Sequence, residues 1–327
     1  MEKVLVTGSA GFIGSNLVED LLDLGYDVLG IDSFNDYYSP KIKRQNNLEV
    51  EEKAKTSKGS FTLFEGDIRD EDFLNEIFEK HKINVVVHLA AYAGVRPSIK
   101  NPNLYYSVNV MGTLNILNAM QKHSVKRLVF ASSSSVYGNN KSVPFKETDN
   151  VDRAISPYAS SKKAGEVMCY TFHHLYGISM AVLRFFTVYG KRQRPDLAIH
   201  KFTKLIDEGK PIPFFGDGSM KRDHSYIADI LQGVKNSIVW TKEKDGYEIF
   251  NIGESTPVSL SSLVEMIGKA VGKEPIIERL PVPPGDVKIT YADVSKAEKM
   301  LGYKPTTPLE KGLKEFTSWY FSHKDKE

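Results

Sequence analysis

Residues 4–14, Val-Leu-Val-Thr-Gly-Ser-Ala-Gly-Phe-Ile-Gly, decide the fold of this chain. Four residues suited to a buried strand run directly into three glycines, Gly8, Gly11 and Gly14, and a helical pattern follows. The first glycine permits a tight turn, the second lets backbone approach a bound group, and the third lets the helix pack closely on the strand. The pattern predicts a strand, a turn and a helix that hold the pyrophosphate of a dinucleotide.

The residues after the glycines indicate which dinucleotide is bound. The predicted helix Ile13–Leu24 offers unpaired backbone N–H groups at its start, including those of Phe12 and Ile13. A second buried strand, at residues 26–32, ends on the carboxylate of Asp32. That carboxylate is placed to accept hydrogen bonds from the adenosine ribose, and its charge would repel a 2′-phosphate. The sequence therefore predicts NAD rather than NADP.

The composition is that of an ordinary globular protein. The 327 residues are 41% hydrophobic and 26% charged, and the net charge is +2, which argues against a dedicated nucleic-acid binder. No apolar run approaches the ~20 residues that span a bilayer. The single cysteine, Cys169, excludes an internal disulfide, and its place in a helical pattern favours a packing role over a reactive thiol. We expect a cytoplasmic protein that contacts neither nucleic acid nor membrane.

Strands and helices alternate along the first half of the chain. Apolar or β-branched runs predict further strands at Phe61–Glu65, Val85–Leu89, Arg127–Ala131 and Ser179–Phe185, and helical patterns lie between them at Asp72–His81, Val108–His123 and Tyr158–Tyr176. The charged stretch from Lys41 to Lys58 has no clear period and is predicted to be a solvated helix or loop. The alternation predicts an α/β fold with a doubly wound parallel (Rossmann) sheet.

The pattern loosens after about Arg184, where ten prolines break the chain into short elements. We expect a smaller α/β substrate-binding domain there, packed against the first domain with the ligand cleft between them. The predicted boundaries are 1–182 for the NAD-binding domain, to which 223–253 returns, and 183–327 for the substrate domain.

A tyrosine and a lysine in the segment Tyr158-Ala159-Ser160-Ser161-Lys162 suggest redox chemistry. At a spacing of four residues on a helix, Tyr158 and Lys162 share one face. A neighbouring ammonium favours the phenolate, so we expect Lys162 to lower the pKa of Tyr158. Such a pair arises by chance in many helices, but here a serine run, residues 132–135, ends a predicted strand where a parallel sheet presents its active site.

Four motifs together resemble the extended short-chain dehydrogenase/reductases, and more closely their NAD-dependent nucleotide-sugar epimerases. They are the glycine pattern, the segment His88-Leu89-Ala90-Ala91, the serine run closing with Val136-Tyr137-Gly138, and Tyr-x-x-x-Lys. The resemblance implies that Ser133 joins Tyr158 and Lys162 in catalysis. It also implies further cofactor contacts at Asp67, Ile68, Leu89, Ala90, Ala91, Asn109, Ser132, Tyr158 and Lys162.

The two residues after Ser133 separate branches of that superfamily. Its 4,6-dehydratases carry Asp-Glu there, which supplies an acid and a base for elimination of water, and its UDP-glucuronate decarboxylases typically keep the Glu. This chain has Ser134 and Ser135. With no acid available, dehydration is disfavoured.

Two segments narrow the predicted sugar. Residues 91–98 and 183–196 are most similar to UDP-glucuronate 4-epimerases, and epimerases for neutral hexoses usually have Asn where Thr187 stands. Hydroxyls of Thr187, Ser134 and Ser135 are expected to cradle a sugar carboxylate, with Arg96 and Arg194 adding positive charge.

The resemblance also implies where the nucleotide of a UDP-sugar binds. Residues 216–223 match the segment whose arginine, here Arg222, contacts the diphosphate, and Phe215 precedes it. Pro284-Gly285-Asp286 matches the segment whose acid, here Asp286, reaches the uridine ribose. Many relatives have Arg where this chain has Pro283, so either Arg194 or Arg279 covers the phosphates instead or binding is weaker.

The predicted reaction is reversible C4 epimerisation of a UDP-sugar, foremost UDP-glucuronate to UDP-galacturonate, with NAD tightly bound and recycled. Epimerisation of UDP-glucose or UDP-N-acetylglucosamine is the alternative, followed by decarboxylation of UDP-glucuronate, and a nucleotide-sensing protein without turnover is a further one. No metal is implied by the histidine spacing. A homodimer formed through helices 108–123 and 158–176 is expected from the resemblance.

Overall fold

The computed structural model describes residues 2–281 and 289–324. Within them the strands are β1 Lys3–Thr7, β2 Asp27–Asp32, β3 Ser60–Glu65, β4 Val85–His88, β5 Arg127–Ser133, β6 Ser179–Phe185, β7 Thr187–Tyr189, β8 Ile212–Phe215, β9 Lys221–Tyr226, β10 Tyr247–Ile252, β11 Pro257–Ser259, β12 Ile277–Leu280 and β13 Ile289–Thr290.

The helices among these residues are α1 Phe12–Asp23, α2 Pro40–Ala54, α3 Glu71–Lys80, α4 Val95–Lys100, α5 Pro102–Tyr106, α6 Gly112–Lys122, α7 Pro157–Tyr176, α8 Ala198–Asp207, α9 Ile227–Glu243, α10 Leu260–Val271, α11 Ser295–Leu301 and α12 Leu309–His323. A π-helical turn, Ser107–Met111, precedes α6, and a 3₁₀ turn, Ser134–Tyr137, follows β5. None of the described helices is both long and apolar enough to cross a membrane.

The central sheet has seven parallel strands in the order β10-β6-β5-β4-β1-β2-β3. The order reverses at β1, which lies between β2 and β4, so the loops after β1 and β4 diverge and leave a crevice at the carboxyl edge. The predicted α/β class and doubly wound parallel sheet are confirmed. The shorter strands β7, β9, β11 and β13 form one small sheet and β8 and β12 another. The division into two domains stays a prediction.

Both faces of the sheet are covered by helices, as the continuous apolar strands require. Successive residues of β1 point to opposite faces: Val4 and Val6 pack with α1 and α9, and Leu5 packs with α3 and α6. Cys169, on α7, is fully buried in the second of these cores, and burial raises the pKa of its thiol. That environment is one of a packing residue.

The charged stretch predicted as solvated is the helix α2, and one face of it is buried. Asn46 donates to the carbonyl of Ala10 at 3.0 Å, and Lys43 donates to the carbonyl of Asn35 at 2.7 Å. The prediction of full solvation is therefore wrong for this face, because its polar residues bond the backbone of the loops after β1 and β2 instead of packing in an apolar core.

Candidate active site

The glycine turn between β1 and α1 has the close contacts that the sequence predicts. Gly8 has φ +73°, and its N–H donates to the carbonyl of Ile31 on β2 at 2.7 Å. A Cβ at Gly14 would lie 2.0 Å from the carbonyl oxygen of Gly8, and a Cβ at Gly8 would lie 3.0 Å from the backbone nitrogen of Ala90. No side chain caps α1 at Gly11. Its first-turn N–H groups therefore face the crevice, a cradle that fits a pyrophosphate.

Asp32 ends β2 beside this turn and is held by backbone. Its two carboxylate oxygens accept from the N–H of Ala10 at 3.0 Å and from the N–H of Phe34 at 2.9 Å. Burial raises the pKa of Asp32 more than these bonds and the charge of Lys43 lower it. The carboxylate is fixed at the edge of the crevice, where a ribose of a dinucleotide would lie.

A cavity of about 500 Å³ opens at the carboxyl edge of the sheet. It is lined by all the predicted cofactor contacts except one, namely Gly8, Gly11, Phe12, Ile13, Gly14, Asp32, Asp67, Ile68, Leu89, Ala90, Ala91, Ser132, Tyr158 and Lys162. The glycine turn with its backbone donors and the carboxylate of Asp32 line this one cavity, so these residues fit NAD.

Asn109 is the exception, because it lies behind the cavity wall in the π-helical turn. Its side-chain amide donates to the carbonyl of Tyr92 at 2.9 Å and to Ser161 Oγ at 3.0 Å, and its oxygen accepts from the Tyr92 N–H at 2.8 Å. Ser161 in turn donates to the backbone carbonyl of Tyr158 at 2.8 Å. Asn109 therefore ties the loop after β4 to the start of α7.

His88, whose ring is neutral, helps to hold the cavity wall behind which Asn109 lies. Burial lowers its pKa to about 3. Thr113 Oγ1 donates to the carbonyl of Asn109 at 2.6 Å, so it has to accept from His88 Nε2 at 3.0 Å. Nδ1 then accepts from Thr7 Oγ1 at 2.7 Å, and Thr7 Oγ1 accepts from the N–H of Ala90 at 3.1 Å. The chain of bonds fixes the loop that begins at Ala90.

Helix α7 presents the tyrosine and the lysine to the cavity. Ser156 caps the helix by accepting from the N–H of Ala159 at 3.1 Å, and Pro157 occupies its first position. Lys162 Nζ donates to the carbonyl of Ala131 on β5 at 2.7 Å. Ser133 lies near enough to the phenol of Tyr158 to lower its pKa. The three residues predicted to be catalytic are thus brought together.

The prediction that Lys162 lowers the pKa of Tyr158 is wrong for this structure. Burial raises the pKa of the phenol, and only the hydrogen bond of Ser133 and the charge of Arg194 oppose it. Burial also lowers the pKa of Lys162, to about 8, and its ammonium is directed at the carbonyl of Ala131. Desolvation disfavours the charged form of both groups, so it outweighs the spacing on the helix.

We predict that kcat/KM for turnover rises with pH with an apparent pKa near 8. The reactive form is the Tyr158 phenolate with the Lys162 ammonium, which has one proton fewer than the phenol with the ammonium. The Tyr158–Lys162 pair loses this proton at the lower of its two pKa values, which is that of Lys162. The measurement is a pH–rate profile from about pH 6 to 9.5. In Lys162→Arg the rise should move to higher pH, because a guanidinium keeps its proton. A flat profile for the parent enzyme contradicts the prediction.

The predicted sugar contacts lie in the same cavity. Ser133, Ser134, Ser135, Thr187 and Arg194 all line it. The guanidinium of Arg194 pairs with Asp196, at 2.7 Å between Nη2 and Oδ2, and lies 4.9 Å from the centre of the Tyr37 ring. The cavity lining therefore combines these neutral hydroxyls with the oriented guanidinium of Arg194.

A second cavity, of about 320 Å³, adjoins the first at Leu197 and is lined by Arg96, Phe215 and Arg222. The guanidinium of Arg96 lies 5.3 Å from the centre of the Phe215 ring. Arg96, at the start of α4, therefore lines the adjoining cavity and not the cavity that Ser134 and Ser135 line, and its role near a sugar carboxylate stays a prediction. Arg279 lines neither cavity and lies over Phe214. Pro283 and Asp286 lie outside the described residues.

Several residues that line the cavities are not among the predicted site residues, and three of them contact or adjoin predicted ones. Tyr37 and Tyr92 line the first cavity and Asp196 the second. The aromatic run that follows Asp32 and the Arg-x-Asp spacing at 194–196 were available signals for Tyr37 and Asp196. Neither spacing indicates, without the fold, that the two loops meet.

The strand order and the place of the tyrosine–lysine pair, beside the carboxyl end of β5, are those of extended short-chain dehydrogenase/reductases, and that is the class of this protein. Within it, the chain belongs to the family described as GDP-mannose 4,6 dehydratase, whose model matches residues 5–316.

Comparison with individual proteins gives similarity over the whole chain. A UDP-glucuronate 4-epimerase of Thermodesulfobacterium geofontis is 45% identical, over 98% of this chain and 96% of its own length. The crystal structure of UDP-glucuronic acid 4-epimerase from Bacillus cereus, in complex with UDP-glucuronic acid and NAD, is 36% identical with a TM-score of 0.87. That of UDP-glucose 4-epimerase from Thermotoga maritima, with UDP-glucose, is 32% identical with a TM-score of 0.85. Both alignments cover 98% of this chain and 99% of the other.

Proposed function

We propose that this protein, an NAD-dependent UDP-sugar 4-epimerase, acts on UDP-glucuronate and converts it reversibly to UDP-galacturonate. The observation that carries the proposal is the lining of the larger cavity, in which Ser134, Ser135 and Thr187 contribute neutral hydroxyls to the same cavity as Tyr158 and Arg194 contributes a guanidinium. The family description names a dehydratase, but the acid and base that elimination needs are serines here.

The cofactor and nucleotide sites follow from the lining residues. The turn at Gly8 to Gly14 would hold the pyrophosphate of NAD and Asp32 its adenosine ribose, while Lys162 would bind the nicotinamide ribose. When bound, NAD supplies a reversible hydride acceptor. Arg222 and Phe215, in the adjoining cavity, would bind the UDP of the substrate.

Tyr158 acts as the general base. As phenolate it removes the proton of the C4 hydroxyl, and Ser133 hydrogen-bonds to that oxygen. Oxidation gives a 4-keto sugar, which turns about the diphosphate and presents its other face. Tyr158 then gives the proton to the C4 oxygen, while the hydride taken from C4 would return to the opposite face of that carbon. Lys162, whose Nζ donates to the carbonyl of Ala131, lines the same cavity.

The neutral cradle also protects the intermediate. Oxidation of glucuronate at C4 gives a β-keto acid, which loses CO₂ readily when its carboxylate is desolvated or misoriented. Hydroxyls of Ser134 and Thr187 would bind this carboxylate without burying it against a second charge. Arg194, already paired with Asp196, would orient the group while its own charge stays balanced.

Replacing Ser134 by Ala should increase the share of decarboxylated product from UDP-glucuronate about fivefold, because one hydrogen bond worth about 1 kcal/mol no longer orients the carboxylate. Product ratios measured by NMR test this. Ser142→Ala, an exposed serine outside both cavities, is the control and should leave the ratio unchanged. An unchanged ratio in the Ser134 variant counts against the cradle.

The proposed substrate is tested by incubating the purified protein with UDP-glucuronate, UDP-glucose and UDP-N-acetylglucosamine, each without added NAD. We expect a C4 epimer from UDP-glucuronate alone, and none in the Tyr158→Phe variant. A C4 epimer formed only from UDP-glucose or UDP-N-acetylglucosamine would contradict the proposal and support the alternative, a 4-epimerase for a neutral UDP-sugar. Retention of NAD without any turnover would support the other alternative, a nucleotide-sensing protein.

We also propose a homodimer. Val167 and Tyr170, on α7, and Met111, the last residue of the π-helical turn before α6, expose about half of their surface, although they are mainly apolar. A second copy that packs its own α6 and α7 here would bury them. Light scattering of the protein as it elutes from a size-exclusion column should give a mass of twice 36.7 kDa. Val167→Glu should lower this mass toward that of the monomer.

The cytoplasmic location stays a prediction.

A further inference from the structure

Glu166 and Arg184 form a buried ion pair behind the catalytic residues. Each side chain is 1% exposed, and the pair is bidentate: Arg184 Nε donates to Glu166 Oε1 at 2.8 Å and Nη2 donates to Oε2 at 2.9 Å. Burial raises the pKa of Glu166, but the hydrogen bonds from Arg184 and Ser132 and the charge of Arg184 lower it further, so the carboxylate is ionised at neutral pH.

The pair belongs to a ladder of contacts between α7 and the end of β5. Three consecutive strand residues meet three helix residues spaced four apart. Ala131 accepts from Lys162 at 2.7 Å, Ser132 Oγ donates to Glu166 Oε1 at 2.7 Å, and Ser133 faces the phenol of Tyr158, whose pKa it lowers. Glu166 is the only one of the three helix residues that does not line the cavity.

We propose that Glu166, held by Arg184, is a positioning residue that fixes the end of β5 so that Ser133 meets the Tyr158 phenol. The link is the hydrogen bond from Ser132 to Glu166, because a fixed Ser132 also fixes the backbone of Ser133, the next residue of the strand. The inference rests on the catalytic role proposed above for Ser133 and Tyr158.

The other end of the pair extends the same scaffold. Arg184 Nη1 donates to Tyr137 Oη at 3.0 Å, and Tyr137 Oη donates to Asn251 Oδ1 on β10 at 2.7 Å. Tyr137 closes the 3₁₀ turn that carries Ser134 and Ser135. The guanidinium of Arg184 is thus linked through Glu166 to the end of β5 and through Tyr137 to β10 and to the 3₁₀ turn Ser134–Tyr137. These links hold Ser134 and Ser135 in a fixed position relative to β5.

Stability alone does not require this pair. Buried ion pairs can often be replaced by apolar side chains of similar volume with no loss of stability, because two charges no longer have to be desolvated. A role in geometry therefore predicts that a fully apolar replacement folds well and still reacts slowly.

The test is the double variant Glu166→Leu with Arg184→Met, measured for melting temperature, bound NAD, kcat and KM. We expect the melting temperature and NAD content of the parent, KM for UDP-glucuronate within about threefold, and kcat lower by about tenfold or more. Arg127→Met, which removes an ion pair with Glu2 at the amino end of β5, is the control and should keep kcat.

A double-mutant cycle separates positioning from a general structural effect. If Glu166 acts through Ser133, the replacement should cost less than about twofold in kcat in a Ser133→Ala background, whereas an unrelated effect would be additive. Additive losses, or a folded double variant with the parent kcat, overturn the proposal. Full activity of Ser133→Ala itself would instead overturn the catalytic role of Ser133.

If the double variant does not fold, Ser132→Ala gives the same decision, because it cuts the link to β5 and leaves the ion pair in place. The expected result is again a lower kcat, measured with NAD added to saturation, and this loss should vanish in the Ser133→Ala background. A parent kcat in Ser132→Ala overturns the proposal.

Discussion

Replacing Tyr158 by Phe should lower kcat for C4 epimerisation by about 10³-fold and leave the fold intact. General acid–base groups typically contribute 10²–10⁴-fold. Among the described residues that line the larger cavity, the other side-chain partner of Ser133 is the hydroxyl of Ser135, which is a poor general base. Phe keeps the ring of Tyr158 and its edge-on packing against Tyr105, in which the two ring centres lie 6.2 Å apart. Epimerisation of UDP-glucuronate followed by NMR is the measurement.

Tyr105→Phe is the matched control for this variant. Tyr105 is a buried phenol that packs directly on Tyr158, but its hydroxyl donates to the carbonyl of Ala93, which Tyr37 also bonds. We expect its kcat to stay within about threefold of the parent, because Ala93 keeps one donor. Residual activity above about a tenth in Tyr158→Phe would show that another group removes the C4 proton.

Replacing Gly14 by Ala should reduce the NAD that copurifies with the protein by at least about tenfold. A Cβ at this position would lie 2.0 Å from the carbonyl oxygen and 2.8 Å from the carbonyl carbon of Gly8. Both are backbone atoms of the turn, so the strain cannot be relieved by a rotamer change, and overpacking of this kind costs about 1–3 kcal/mol. Separation of α1 from β1 would move the first-turn N–H groups away from the pyrophosphate.

The comparison for Gly14→Ala is Gly246→Ala, where the nearest atom to a new Cβ is a Trp240 ring carbon at an ordinary 3.6 Å. That variant should bind NAD like the parent. Absorbance of the cofactor released by heat measures the content, and the melting temperature reports the strain. Parent-like NAD content in Gly14→Ala would mean that the turn is looser than the structure places it.

Much of the architecture was predictable because it depends on local patterns. Apolar runs separated by helical periods predict the parallel sheet, and the predicted strands agree closely with β1 to β6. The signal is strongest for strands such as β1 and β4, because a strand buried on both faces needs a continuous apolar run. The glycine turn and the Tyr158–Lys162 spacing were equally readable, because steric demand at a glycine and the period of a helix belong to the chain itself.

What the sequence could not provide were properties that depend on burial and on loops distant in the chain. The spacing of Tyr158 and Lys162 suggested a lowered phenol pKa, yet desolvation raises it. Arg96 was grouped with the serines, yet it lies in the adjoining cavity with Phe215. A pKa or a cavity wall depends on every atom that excludes water, and these come from segments that no local pattern relates.

The sequence by itself therefore determined the nucleotide-binding turn, the parallel sheet, the redox pair and the absence of acids at positions 134 and 135. Only the tertiary structure decided the directions in which the pKa values of that pair shift, the place of Arg96, the Arg194–Asp196 pair and the hydrogen bond that joins the Glu166–Arg184 pair to Ser132. The physical reason is that backbone conformation follows from neighbouring residues, whereas electrostatics and positioning follow from packing between β5, β6 and α7.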